Sequence, residues 1–449
     1  MNKVIKLTKG LDIPMEGKAA AEIKSISRPA VYAIVPDHYA GIKPKMLVRE
    51  GDVVKAGTAL FCDKSHESML FASPVSGKIA AVVRGDRRKV MEIRIEADQT
   101  IDYEHFATEV KNGEEVKALI LKAGLWSLLK QRPYDCIALP EKAPKAIFIS
   151  AFDSAPLAPD YDFIAKGHAS LLQAAVNALA LIAPVFVGVK ADSKATEFRN
   201  LKNCTVTEFA GAHPAGNVGV QINHVRPIGK GQTVYTINAQ DLLILGRLFQ
   251  NGIVDTQRRV ALSGPRAATH ASCSVLPGMP VSAILKSNIL TGQSTRIILG
   301  NPLSGHKIEL DEIIEPTANQ ITVIAEGTEA RDFLGWIMPR FDNFSVNNAV
   351  AGKWLGLFGF KHFSFDARLL GGRRAIITSG EYDKVFPMDI YPEYLIKAMI
   401  AGNLDRMEQL GAYEVAPEDF ALCEYVCTSK MPLQAIVRQA LDNMKNELE

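Results

Sequence analysis

Cys423 and Cys427, in Cys-Glu-Tyr-Val-Cys, are the one closely spaced pair among six cysteines. On a helix this spacing puts both sulfurs on one face, which is a beginning for metal ligation. A structural zinc or an iron–sulfur cluster asks for about four protein ligands. The nearest further cysteine or histidine is His362, so the pair reads as two small buried hydrophobes and no metal site is expected. The nine histidines form no H-E-x-x-H pattern. His213 and His224 flank Ala215-Gly216-Asn217-Val218-Gly219. Backbone amides around Gly216 and Gly219 could cradle an anion, so His213, Gly216, Asn217 and Gly219 form a candidate ligand loop. A glycine-rich contact between domains explains the same residues. No Ser-His-Asp set can be read from sequence, because geometry defines such triads, and no catalytic residue is assigned.

These residues must be held by elements of several kinds. The first hundred residues carry short β runs broken by glycines, as in MLVREGDVVKAGTALF and SPVSGKIAAVVRG. Glycine supplies positive φ where strands reverse. The order G-D-x-V-x-x-G-x-x-L, then S-P-x-S-G-x-I, resembles a biotinyl/lipoyl-type β-barrel. Lys64 would be its swinging arm, but SHESMLFA before the second element is longer than a tight hairpin allows. The register is disturbed, so an unmodified Lys64 on a degenerate domain is expected. EEVKALILKAGLWSLLKQ has helical spacing and ends at Arg132-Pro133. From residue 145, AIFISA, VFVGV, TVTEFA, TVYTI and RVALSG read as strands, with helices over 168–182 and 239–251. Loops after Ala151 and Ala210 sit where parallel sheets bind ligands, yet neither is a G-x-G-x-x-G or a P-loop.

The expected class is α/β multidomain. A degenerate biotinyl/lipoyl-like domain covers 1–100, a helical connector 101–144 and a Rossmann-like domain 145–270. A β-grasp-like module follows over 271–330, and a mainly helical domain without iron–sulfur ligands over 331–449. The last opens on two aromatic-rich segments, DFLGWIMPRFDNF and GKWLGLFGFKHFSF.

Composition sets the outer limits. The 449 residues exceed one ordinary core. With 51 basic and 49 acidic residues the net charge is +2, which argues against nucleic acid as a partner. The first residues lack the apolar core of a signal peptide, and irregularly spaced cysteines suggest a reducing compartment. Residues 169–189 carry no charge, but Pro184 splits them into a buried helix and a strand rather than a membrane span.

Several ordered segments resemble one family along the whole chain. They are GLDIPMEG (10–17), GLW…RPY (124–134), SAFDSAPLAPD (150–160), HPAGNVG (213–219) and QDLLILGRLF (240–249). FLGWIMPRFDNFS (333–345), EYDKVFPMDIYP (381–392) and EDFALCEYVC (418–427) complete the set. They resemble the A-type subunit of the sodium-translocating NADH:quinone oxidoreductase. The layout is similar to the NADH-binding subunit of respiratory complex I and to the C-type subunit of the Rnf complex, both of which carry iron–sulfur ligands. The resemblance implies a peripheral subunit on the cytoplasmic face of the bacterial inner membrane. It would rest on a membrane-embedded subunit, with flavins and iron–sulfur centres on partner subunits and no cofactor of its own. The alternative is a stand-alone nicotinamide- or lipoyl-dependent oxidoreductase component. Contact with quinone needs donors for two carbonyl oxygens and flat apolar walls. His38, Tyr39, Trp126, Arg132 and Tyr134 have that chemistry; the same residue types also line subunit interfaces.

Overall fold

A computed structural model of the chain describes residues 4–328, 344–346 and 362–448. Its first part is built from short strands. Val31–Ile34, Val90–Ala97, Gly77–Arg84 and Val53–Val54 form one antiparallel sheet in that order. Pro44–Met46, Ala59–Asp63 and Leu70–Ala72 form a second. Alternation sends Tyr32, Leu60, Phe71, Ile79 and Ile93 into the shared core. Lys64 is exposed and begins the 64–69 loop joining the 59–63 and 70–72 strands. It stands at the foot of that loop, beside Asp63, whose carboxylate accepts from Lys43 N at 2.8 Å.

Helix α1 (Gly113–Lys122) starts where the Asn112 side chain accepts Glu115 N at 3.0 Å, and Glu115 answers by accepting Lys111 N at 2.7 Å. It ends sooner than the periodicity suggests, because Gly124 turns left-handed at φ +69°. The helix expected through Gln131 is therefore too long. Lys130–Arg132 and Cys136–Ile137 instead form a hairpin on the edge of the central sheet. Tyr134 and Asp135, both at positive φ, make its turn.

That sheet has seven strands in the order 4–6, 205–210, 185–190, 147–150, 234–238, 130–132, 136–137. The first five run parallel. The apolar runs at 147–150, 185–190 and 234–238 reflect burial on both faces, whereas the outer strands 4–6 and 205–210 are partly exposed. Ile147, Ile149, Tyr235 and Ile237 face α3 (Ala169–Ala180) and α5 (Ala239–Asn251), with α2 (Tyr161–Ala165) against α5. Phe148 and Val234 face α4 (Val218–Val225) on the other side. The uncharged stretch from 169 resolves into α3 and the strand Val185–Lys190, and no helix among the described residues is long and apolar enough to cross a membrane.

Arg258–Ser263, read as part of the parallel unit, belongs to a further sheet in the order 306–308, 295–299, 320–325, 258–263, 271–275, 23–25. Short α6 (Ser282–Leu285) packs beside it. The N-terminal strands Val4–Lys6 and Ile23–Ser25 thus leave the first domain to edge two other sheets. The C-terminal helices are α7 (Glu381–Val385), α8 (Pro392–Ile400), α9 (Leu404–Gln409), α10 (Ala421–Val426) and α11 (Leu433–Leu448). Phe386, Leu395, Met407, Phe420, Leu433 and Leu441 form their core. Cys423 lies on α10 and Cys427 caps it; both are buried, and Tyr382 Oη is 2.9 Å from Cys427 Sγ. The aromatic-rich segments fall mostly outside the described residues.

Candidate functional site

A cleft of about 280 Å³ opens at the C-terminal ends of the 147–150 and 234–238 strands. Parallel sheets gather ligands at such ends, because the loops leaving adjacent strands diverge there. Ser150, Thr236 and Asn238 come from the strands, Tyr161 from α2 and Asp241 from α5. Gly216, Asn217 and Val218 bring in the start of α4, and Asn301, Leu303 and Asn319 come from the neighbouring sheet's loops.

The floor is locked by a local network. Asn238 caps α5, accepting Gln240 N at 2.8 Å and Asp241 N at 3.0 Å. Gln221 Nε2 donates to Ser150 Oγ at 2.9 Å, and Ser150 Oγ donates to Gly216 O at 2.8 Å. Ser154 Oγ accepts Gly216 N at 2.8 Å and lies 3.0 Å from His213 Nδ1. Burial pushes His213 down to about 4, so its ring is neutral at physiological pH. Burial also raises the Asp153 carboxyl, and Asp241 is ion-paired with buried Arg258.

The glycines of the candidate loop have close neighbours, all of them protein. A Cβ on Gly216 would lie 2.5 Å from Ser154 N, and one on Gly219 would lie 2.5 Å from both carboxylate oxygens of Asp419. Asp419, buried from solvent, therefore sits against the first turn of α4, where an anionic ligand would otherwise lie. Its Oδ2 accepts Arg132 Nη1 and Ala416 N, each at 2.8 Å, and Oδ1 has no hydrogen-bond partner among the described residues. The close approach that the Gly216 and Gly219 positions permit is thus used to seat the 150s loop and the C-terminal helices. His213, Gly216 and Asn217 still line the cleft, whereas Gly219 stands behind it.

The five residues singled out for quinone contact do not converge. Tyr39 packs edge-on against Phe61 and Phe71, with centroids 5.9 and 4.6 Å away. His38 is next to Glu315, at 3.8 Å. Trp126 is fully buried and donates Nε1 to Ala138 O at 2.7 Å. Tyr134 meets Tyr413 edge-on at 6.4 Å. Arg132, also buried, is held by Asp419, by Glu418 Oε1 at 3.0 Å and by Glu414 O at 2.9 Å. What the segment shows to the cleft is its other residues: Ser127, Leu128, Lys130 and Asp135. Sequence reasoning missed these, along with Tyr161, Asn238, Asp241 and Glu418. Asn238 was signalled, since it follows the apolar run of a parallel strand and starts a helix.

Asp135, Asp153, Asp241 and Glu418 surround the cleft against one lysine, Lys130. Desolvation and the neighbouring Asp419 charge push Glu418 up to about 7. Its side chain is 45% exposed, so solvent screening moderates that shift. Two of these acids are already ion-paired, Asp241 with Arg258 and Glu418 with Arg132, so Lys130 faces the carboxyls of Asp135 and Asp153 and the lining offers no net positive charge to a phosphate. The cleft's amides, hydroxyls and lysine suit a neutral ligand with carbonyl or hydroxyl oxygens.

Comparison with known proteins accounts for the layout. Residues 5–98 match an NqrA N-terminal barrel-sandwich hybrid domain, 111–254 an NqrA second alpha/beta domain, and 259–309 an NQRA C-terminal domain. A solved NAD+-reducing NiFe-hydrogenase in its H2-reduced state is a distant likeness, at 12% identity and TM-score 0.36, covering 77% of this chain and 68% of its own. The A-type subunit of the Na(+)-translocating NADH-quinone reductase of Haemophilus influenzae (strain PittEE) is 36% identical over 456 residues, covering 99% of this chain and 100% of that protein. Its counterparts in Pasteurella multocida (strain Pm70) and Neisseria meningitidis serogroup B (strain ATCC BAA-335 / MC58) are 35% and 34% identical over 451 residues, again covering 99% of this chain and 100% of each relative. Full-length similarity at this level, with three of the family's domains in register along one chain, makes this protein a member of the NqrA family, the A-type subunits of Na(+)-translocating NADH-quinone reductase.

Proposed function

We propose that the chain is the peripheral, cytoplasmic-face subunit of a sodium-translocating NADH:quinone reductase and meets the quinone at the cleft. The observation that carries this reading is the 36% identity over the whole length of an NqrA relative. In it the central unit is a Rossmann-like domain and the 258–325 sheet a β-grasp-like module, kept as scaffolding. Flavins and iron–sulfur centres lie on partner subunits. This chain holds no cofactor, carries Lys64 unmodified, and touches a membrane-embedded subunit. Lys130 and the amides of Asn217, Asn238 and Asn319 supply donors for quinone carbonyl oxygens, and Leu128, Phe152 and Leu303 supply apolar wall.

Two measurements test the reading. Fractionation with and without the partner genes should find the chain on membranes only when the partners are present; equal cytosolic abundance in both counts against it. A photoreactive quinone analogue, added to the assembled complex, should label peptides containing residues 127–135 or 301–319. Label confined to other subunits removes the quinone part and leaves complex membership standing.

A further inference from the structure

An amphipathic helix on a protein surface normally turns charged and polar residues to water. Helix α8 does not. Its inward face is Leu395, Ile396 and Met399, but its outward stripe carries Tyr391, Tyr394 and Ile400, 69%, 58% and 50% exposed. Between them Lys397 supplies the one charge of that stripe. Alongside runs an irregular strap, residues 369–378, with Leu369, Leu370 and Ile377 at 57%, 53% and 59% exposure. Thr378 Oγ1 is 2.5 Å from Lys397 Nζ, and Glu393 Oε1 accepts Ser379 N and Gly380 N at 3.0 and 2.9 Å. These bonds fasten the end of the strap to the helix, which brings Ile377 beside Lys397 of the tyrosine stripe, while Leu369 and Leu370 continue the exposed apolar residues along the strap past Lys430.

The exposed charges of the helix stripe and the strap are of one sign. Arg373 and Arg374 are exposed and make no ion pair among the described residues. Lys430 lies along Gly371, and Lys397 completes a set of four cations. Asp389, beside Tyr391, is an exposed acid at the margin, and Asp383 and Asp405 are exposed on the flanking helices α7 and α9. Arg374 N donates to Ser429 O and Ala375 O accepts Ser429 Oγ, which holds the strap's middle, while most residues of the strap are exposed.

We propose that this tract is a lipid-contact surface, taking the headgroup layer of an anionic phospholipid bilayer. Leucine and isoleucine side chains enter the acyl boundary, tyrosines sit at headgroup level, and the arginines meet phosphates. The irregular strap bars deeper insertion, because backbone outside a helix or closed sheet is not accommodated in hydrocarbon. This rests on the peripheral reading above, and it adds a direct lipid contact to the attachment that partner subunits give. One such patch gives reversible binding, and stable residence needs the second attachment.

The test uses the full chain and sedimentation with vesicles of phosphatidylglycerol and phosphatidylcholine in equal parts, against phosphatidylcholine alone. The chain should partition onto the anionic vesicles and release as salt rises. Arg373→Ala with Arg374→Ala should weaken partitioning roughly thirtyfold, from two headgroup-level cations. Leu369→Ser with Leu370→Ser should also weaken it, with the circular dichroism spectrum of both variants unchanged. Failure of the wild-type chain to bind anionic vesicles, or equal binding by both variants, overturns the proposal. If vesicles do not bind and the variants also fail to join the partner subunits in membranes, the tract is a protein interface and lipid contact is wrong. If vesicles do not bind but the variants assemble normally, the inference fails while the peripheral reading survives.

Discussion

Arg132 carries a full charge with 1% of its surface in water, and Asp419 beside it is at 2%. Burial weakens the hold of its guanidinium on the proton, but Asp419, Asp135 and Glu418 more than offset that and keep it firmly charged. Removing one member of such a pair strands the other, at about 3–5 kcal/mol. Asp419→Ala should therefore destabilise the chain by that order in urea unfolding, whereas Glu418→Gln, at a half-exposed carboxylate, should cost no more than about 1 kcal/mol. Equal costs would refute the division of labour drawn here. His213 adds a pH dependence. Its folded value, about 4, lies below the ordinary 6.5, so between the two the unfolded chain binds a proton that the folded chain refuses. Stability is thus lost as pH falls through that window, by roughly 3 kcal/mol in full. His213→Gln should flatten the acid limb of a stability–pH curve; an unchanged limb would show that other groups set it.

At the scale of elements, α3 and α5 cross closely on one face of the central sheet. Gly246 makes that possible: a Cβ there would lie 2.3 Å from Leu171 O. Helix propensity alone says Gly246→Ala stabilises by about 1 kcal/mol. Against a backbone carbonyl that cannot swing aside, overpacking of about 1–3 kcal/mol should win. The melting temperature of this variant should therefore fall, and a rise would show that the helices can slide apart. The middle of the sheet behind these helices was legible because the strands at 147–150, 185–190 and 234–238 are short apolar runs, and α5 was legible to the residue because Asn238 caps it and Gly252 ends it. The hairpin at 130–137 was not legible, since Leu125, Leu128 and Leu129 continue a helical period that Gly124 has already broken. Nor were the edge strands at 4–6 and 23–25, whose three-residue pairings join partners more than two hundred residues away. The candidate site was half visible. Gly216 and Gly219 announced a close approach, but nothing local to them says that the approaching groups are Ser154 and Asp419.

Across the whole molecule, the C-terminal helices close onto the back of the cleft through polar contacts. Arg438 Nη2 donates to Tyr134 O at 2.7 Å, Asn223 Nδ2 to Glu414 Oε2 at 2.9 Å, and Asn217 Nδ2 to Glu418 O at 3.2 Å. Arg132 is the centre of this seam, bridging the central hairpin to Glu414, Glu418 and Asp419. Its role is to hold two parts of the chain together, so its loss should be felt wherever their relative position matters. In the assembled complex we expect Arg132→Ala to loosen this subunit, lowering NADH oxidation by an artificial acceptor and quinone reduction together. Lys130→Gln is the contrasting case, two residues away on the same strand but facing the cleft. It should raise the quinone requirement, by about tenfold for a weakened charged hydrogen bond, with NADH oxidation by the artificial acceptor unaltered. Both rates, measured on complex of verified subunit composition, separate the two roles. If Arg132→Ala in a fully assembled complex changes only the quinone response, the seam is not its role and Arg132 returns to the quinone site.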